Sequence, residues 1–243
     1  MSQSDPAFLA KLEEQSKERQ QRFMQNISDR LGHAPLTEPP THPHRGAPTF
    51  WKEHNLNKED CITQFSDNWR AAGGHLERFA TMAEAKAYMI QTAEELAAQR
   101  WIRHDHPQLH ELALESSLPE AEVTVWDSTA MDEMKEYAAE ADIGVIVAEH
   151  AVSITGSIVS ISSSGRGRSV SLLPTVLMAL VPSSVIKAKL GEVMAEIEQV
   201  EFGQMPAGIH FISGPSRSAD IENDLTIGVH GPGVVFALIV DEL

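Results

Sequence analysis

The chain has 243 residues, enough for one substantial core or one core with a small appended element. With 42% hydrophobic and 22% charged residues it reads as a globular protein rather than a disordered one. Its 35 acidic against 19 basic side chains give a formal charge of −16, which disfavours nucleic acid and anionic lipid as partners.

The first residues carry no basic stretch followed by an apolar run and a small-residue cleavage site, so no signal peptide is expected. The longest apolar run, Val176 to Val181, is far shorter than a membrane-spanning helix. A cytoplasmic protein is expected. Residues 1–32 read as an amphipathic helical segment with a thin stripe of Phe8, Leu12, Phe23, Ile27 and Leu31, ended by Gly32. Residues 33–50 hold Pro35, Pro39, Pro40, Pro43 and Pro48 and read as a linker. Residues 51–243 form the main α/β domain.

Within that domain, Lys58 to Ala72 has helical spacing of Ile62, Phe65 and Trp69, and His75 to Phe79 is a short strand. Thr81 and Glu84 make a capping box before a helix carrying Met82, Ala85, Met89, Ala93 and Leu96. Trp101-Ile102 suits a strand, Gln108 to Ser116 a helix, Val123 to Trp126 a strand and Ser128 to Glu140 a helix. Ile143 to Val147 is a β-branched apolar run of the kind covered on both faces. Strands alternating with helices predict a mixed, largely parallel sheet.

Ser157 to Ser162 and Ser169 to Leu173 have strand-like alternation around a Ser/Gly/Arg turn at 163–168, which predicts a hairpin. Leu177 to Val181 is a buried strand. Ser184 is placed to cap a helix with Ile186, Leu190, Val193 and Ile197 inward, and Ile209 to Ile212 and Val234 to Val240 are the last strands.

Three segments carry chemical information: Gly156 to Ser163 (GSIVSISS), Gly167 to Pro174 (GRSVSLLP) and Gly214 to Pro232 (GPSRSADIENDLTIGVHGP). In the third, Ser216 and Ser218 are placed to cap a helix beginning near Ala219, whose free N–H groups would bind an anion beside Arg217. Asp220 and Glu222 would then lie in its first turn, where a carboxylate stays ionised. Gly228-Val229-His230-Gly231-Pro232 is a second turn, presenting His230. The candidate anion or ligand site is Arg168, Ser169, Ser216, Arg217, Ser218, Gly228, His230 and Gly231, with His230, Glu149 and Asp220 as catalytic candidates. Arg166 reads as a charge that keeps the turn soluble.

His104, His106 and His110 with Asp105 and Glu111 invite a metal reading, but Pro107 starts the helix and leaves His106 outside it, so no metal is expected. Cys61 is the sole cysteine and reads as a small buried hydrophobe. One thiol cannot build a cysteine-ligated iron–sulfur cluster, so no cofactor is expected in this chain.

The ordered set of motifs over roughly Val123 to Leu243, with the GPSRSADIE and GVHGP segments as its specific part, resembles the LUD-domain proteins and within them the lactate-utilization protein C family. The resemblance implies an α/β layered domain similar to the NagB/RpiA/CoA-transferase-like group. It also implies a role in oxidising L-lactate to pyruvate, beside A- and B-type partners that carry iron–sulfur clusters. With a single cysteine the leading reading is a non-redox accessory component, and the anion-site residues suit a small carboxylate as ligand. The alternatives are a transferase or isomerase acting alone on a small carboxylate, thioester or sugar phosphate, and a small-anion sensor. One departure stands out: where the family has an acidic residue in an Ala-Glu-Ser/Thr-Gly pattern, this chain has Ile154 in Ser153-Ile154-Thr155-Gly156. Ile154 can serve neither as base nor as ligand, whereas Glu149 matches another acidic position of the family.

Overall fold

Two runs of apolar residues, Val176–Pro182 and Ile143–Val147, are buried along their whole length, as strands covered on both faces must be. They are the two central strands of the main sheet in the computed structural model, which describes residues 6–34, 56–219 and 225–243. The chain divides into two compact units, Met1–Glu53 and His54–Leu243. In the first, Pro6–Leu31 is one continuous helix (α1), closed by Gly32 at a positive φ of 74°. Residues 35–50 of the expected linker lie outside the described residues.

The second unit opens with α2 (Lys58–Ala71), whose N-cap Asn57 accepts from the Asp60 N–H at 2.9 Å. It is followed by β1 (His75–Thr81), α3 (Met82–Glu95) and β2 (Arg100–Arg103). The Thr81–Glu84 capping box is present as the sequence predicts. The expected helix after β2 is two: α4 (Pro107–Leu112) and α5 (Leu114–Ser117), broken at Ala113, which turns left-handed with φ 47°. Pro107 does open α4, with His106 as its N-cap. Then come β3 (Glu122–Val125), α6 (Met131–Glu140) and β4 (Ile143–Val147).

Beyond β4 a short strand β5 (His150–Val152) pairs antiparallel with β6 (Ser157–Ile161). The predicted hairpin between 157–162 and 169–173 does not form. Ser169–Leu172 is a helical turn (α7), and the 163–168 segment closes on itself through a Ser163–Arg166 bridge. Its alternating serines mimic a strand, yet Val170 is buried because α7 packs against β4. The chain continues through β7 (Val176–Pro182), β8 (Ile186–Lys187), α8 (Leu190–Ile197) and β9 (Ile209–Ile212). The helix expected from Ser184 starts later, with Lys189 as N-cap, because Ile186 pairs with Ala151 in β8. The last strands are β10 (Arg217–Ala219), β11 (Leu225–Ile227) and β12 (Val234–Glu242).

The main sheet is all parallel, in the order β1-β12-β7-β4-β2-β3. Alternate residues of each strand feed two cores. One joins Ile146, Leu177, Ala179 and Ala237 to Phe65 and Trp69 of α2. The other joins Val145, Met178 and Leu238 to Met89 of α3 and to Leu109 and Leu114. The result is a three-layer α/β unit. A smaller mixed sheet, β8-β5-β6-β9, packs Val152 and Val159 against Val193 and Ile197 of α8.

Candidate functional site

In a parallel α/β sheet, ligands bind outside the carboxyl ends of strands where the connections diverge. From β2 the chain passes to β3 on one side, whereas from β4, on the other side of β2, it passes on to β7. The crevice therefore lies beyond Arg103 and Val147. His104, Asp105 and His106 follow β2, and Glu149 stands two residues past β4. The 163–168 segment folds back over these ends. Its Gly165 carbonyl accepts the Asp105 N–H at 2.8 Å, and its Gly167 carbonyl meets the His104 Nε2 at 3.2 Å.

Glu149 is held from two directions. One oxygen accepts the Ile161 N–H at 2.9 Å and the other accepts Arg166 Nη1 at 2.7 Å. Its side chain is 15% exposed. Burial pushes the Glu149 carboxyl above the usual range, although the Ile161 amide and the Arg166 charge pull it down. Arg166 is not the solvated turn charge that its sequence neighbours suggest. Its Nε donates to Ser163 Oγ at 3.0 Å, and Nη2 has no partner among the described residues.

The histidines have separate roles. Arg103, buried and paired with Glu115 at 2.7 Å, reaches His110 Nδ1 at 3.3 Å. A guanidinium only donates, so Nδ1 accepts and the proton sits on Nε2, which donates to Asp105 at 2.6 Å. Both nitrogens of His110 are thus occupied. His106 Nδ1 accepts the Gln108 N–H at 3.3 Å, capping α4, and burial, then the Arg166 charge, lower its basicity. His104 is 1% exposed, and burial drives it down to about 3, so the ring stays neutral. Its Nε2 gives its proton to the Gly167 carbonyl, while Nδ1 has no partner among the described residues. Trp126 Nε1, just past β3, is likewise buried with no partner among the described residues. Among the described residues no cluster of three or more His, Cys, Asp or Glu is arranged to hold a metal ion.

The two C-terminal glycine turns do face each other. The Ser216 N–H donates to the Pro232 carbonyl at 2.9 Å and the Gly228 N–H to the Ser216 carbonyl at 3.0 Å. Beside them is a cleft of about 580 Å3 lined by Leu172, Thr175, Gly228, His230 and Gly231. No helix starts at Ala219, however. Arg217–Ala219 runs as β10, antiparallel to β11, because Ser218 and Thr226 alternate in register rather than cap. The amides of Ser216 and Gly228 are taken up within the turns themselves, and residues 220–224, where the helix was expected to continue, lie outside the described residues. The Arg217 guanidinium donates to the Ala72 carbonyl and closes the end of α2.

This cleft lies at the N-terminal ends of β7 and β12, whereas Glu149 follows the C-terminal end of β4. The Gly233 N–H donates to the Thr175 carbonyl at 3.0 Å, just before β12 and β7 begin. Glu149 and His230 are therefore not brought together. Arg168 is exposed and Ser169 opens α7; the Arg168 charge acts, after burial, to lower His210 rather than any group of the glycine turns. Asp220 and Glu222 lie outside the described residues.

Ile154 has a structural account. It packs onto the small core of Val152, Val159, Val193 and Ile197, while Asn68 Nδ2 donates to the carbonyls of Ser153 at 2.8 Å and Ile154 at 3.2 Å. Gly156, with φ 55°, passes so close to α2 that a Cβ would stand 2.7 Å from the Trp69 nitrogen. This turn is a packing contact between α2 and the small sheet.

Comparison with known proteins agrees with the architecture. The model of the LUD domain matches residues 62–240. The chain is similar to lactate utilization protein C of Halalkalibacterium halodurans, 32% identical over 236 residues, covering 93% of this chain and 99% of that protein. It is similar to lactate utilization protein C of Shouchella clausii, 31% identical over 222 residues, covering 90% of this chain and 96% of that one. Among solved structures it resembles a DUF162 family protein from Deinococcus radiodurans, with a TM-score of 0.54 and 19% identity over 76% of this chain and 99% of the other. That likeness speaks for the fold alone.

Proposed function

The chain belongs to the LUD-domain family, and on that premise we propose that it serves L-lactate utilization as a component with no redox centre of its own. The observation that carries the non-redox part is the thiol inventory. Cys61 is the single cysteine, 6% exposed on the inner face of α2, and burial pushes its thiol up. Cysteine-ligated clusters need several thiolates. Electrons leaving lactate would then travel through iron–sulfur partner proteins, with this chain assembled beside them in the cytoplasm. Among the described residues no helix is long and apolar enough to cross a membrane.

The test is deletion of the gene in its host with growth on L-lactate as sole carbon source, followed by affinity purification of the tagged protein from lactate-grown cells. The reading expects growth to fail on lactate alone and iron–sulfur proteins to co-purify. Normal growth of the deletion strain on lactate would overturn it.

A second reading, an enzyme acting alone on a small carboxylate, thioester or sugar phosphate, is favoured by one observation. Glu149 is a largely buried carboxyl, its pKa raised by burial, at a topological switch point, where such chemistry is commonly placed. Turnover of such a compound by the purified chain would establish it over the accessory role.

A further inference from the structure

We propose that the face of the 163–168 segment turned away from β2 is a binding site for a monocarboxylate with an aliphatic body, longer than a three-carbon hydroxy acid. The cleft has a volume of about 510 Å3 and two unlike walls. One wall is polar: Ser163, Ser164 and Arg166. The other is apolar: Ile197, Val200 and Met205. A site that joins one charged anchor to an apolar surface is built for a ligand with both parts.

The polar wall has capacity to spare. Arg166 spends Nη1 on Glu149 and Nε on Ser163, which leaves Nη2 without a partner among the described residues. A guanidinium fixed by two bonds is preorganised to receive a carboxylate. The Ser164 hydroxyl likewise has no partner among the described residues and can donate to the second oxygen. A carboxylate approaching a chain of formal charge −16 needs such a local cation.

The apolar wall shows why the ligand has a tail. Val200 and Met205 are 38% and 51% exposed, whereas Ile197 beside them is 5% exposed and belongs to the small core. The wall thus extends a packed core outward and ends in apolar side chains open to water. A carbon chain lying on them would remove that surface from solvent. Each methylene buried raises affinity about threefold to fourfold.

This inference is independent of the lactate reading, and its test separates the two. The full-length protein is titrated with acetate, L-lactate, butyrate and hexanoate, with binding followed by ligand-observed NMR. The expected result is an affinity that climbs with chain length, hexanoate exceeding both acetate and L-lactate by at least about tenfold. Arg166→Gln should lose hexanoate binding. Val200→Asp, a change at an exposed position that leaves the core intact, should lose it too by placing a negative charge on the apolar wall. Affinity independent of chain length, or hexanoate binding unchanged by either substitution, would overturn the proposal. Its failure would leave the lactate growth phenotype untouched, and a normal growth phenotype would leave the hexanoate result untouched.

Discussion

Arg166 and Glu149 form an ion pair at 2.7 Å across 17 positions of sequence, and it ties the loop over the sheet to the end of its central strand. The pair is largely shielded, with side chains 28% and 15% exposed. Glu149 also holds the Ile161 amide, so the end of β4, the end of β6 and the 163–168 segment meet at one carboxylate. The crevice geometry depends on this junction.

Replacement of Glu149 tests the electrostatics of that junction. Its raised pKa means that, as pH rises through the usual carboxylate range, the native state keeps its proton longer than the unfolded chain does. Native protein then binds more protons than unfolded protein, and stability contributed by this group falls as pH rises through that window. Glu149→Gln should remove this slope. Urea denaturation of both proteins at several pH values checks it, and parallel curves would contradict it.

His104 has the opposite sign. The unfolded ring takes a proton below the ordinary histidine value of about 6.5, whereas the native ring resists until about 3. Stability from this group is full above 6.5 and is lost as pH falls. Between about pH 6.5 and about pH 5 the loss should be about 2 kcal/mol, at 1.36 kcal/mol per unit. His104→Gln, which keeps a donor for the Gly167 carbonyl, should lack this component in denaturant titrations at the two pH values.

Gly167 is set by contact with an aromatic ring. A Cβ there would stand 2.0 Å from Trp126 Cε2 and 2.3 Å from Cζ2. Gly167→Ala must displace the indole or the loop and should cost about 2–3 kcal/mol, as overpacked sites do. A urea midpoint equal to that of the unsubstituted protein would show that the loop does not rest on Trp126.

Cys61 separates redox from packing. It is buried in the core formed with Phe65 and Trp69, so Cys61→Ala should cost about 1 kcal/mol and leave growth on lactate intact. Loss of growth at normal protein level would mean that the thiol takes part in the chemistry.

Much of the main sheet was legible because Ile143–Val147, Val176–Pro182 and Val234–Glu242 are largely apolar runs with no competing helical period. Shorter elements were not. β5 has three residues, and Ser169–Leu172 alternates like a strand but is helical because α7 packs against β4. Ser216 and Ser218 carry a helix-cap signature, yet the chain there pairs with Leu225–Ile227. At the site, Glu149 could be singled out as an acid beside a buried strand. Arg166 could not, since its partner is fixed by the fold and no local spacing announces it. The histidines after β2 were visible as a cluster, but their division into a cap, a neutral buried ring and a doubly bonded ring depends on Arg103, Gly167 and Asp105.

The most direct test of the crevice as the working part of the protein is growth on L-lactate of a deletion strain carrying Arg166→Gln at the wild-type protein level. The variant strain should fail to grow on lactate and grow normally on glucose. Growth on lactate at the wild-type rate, with the variant folded, would contradict it.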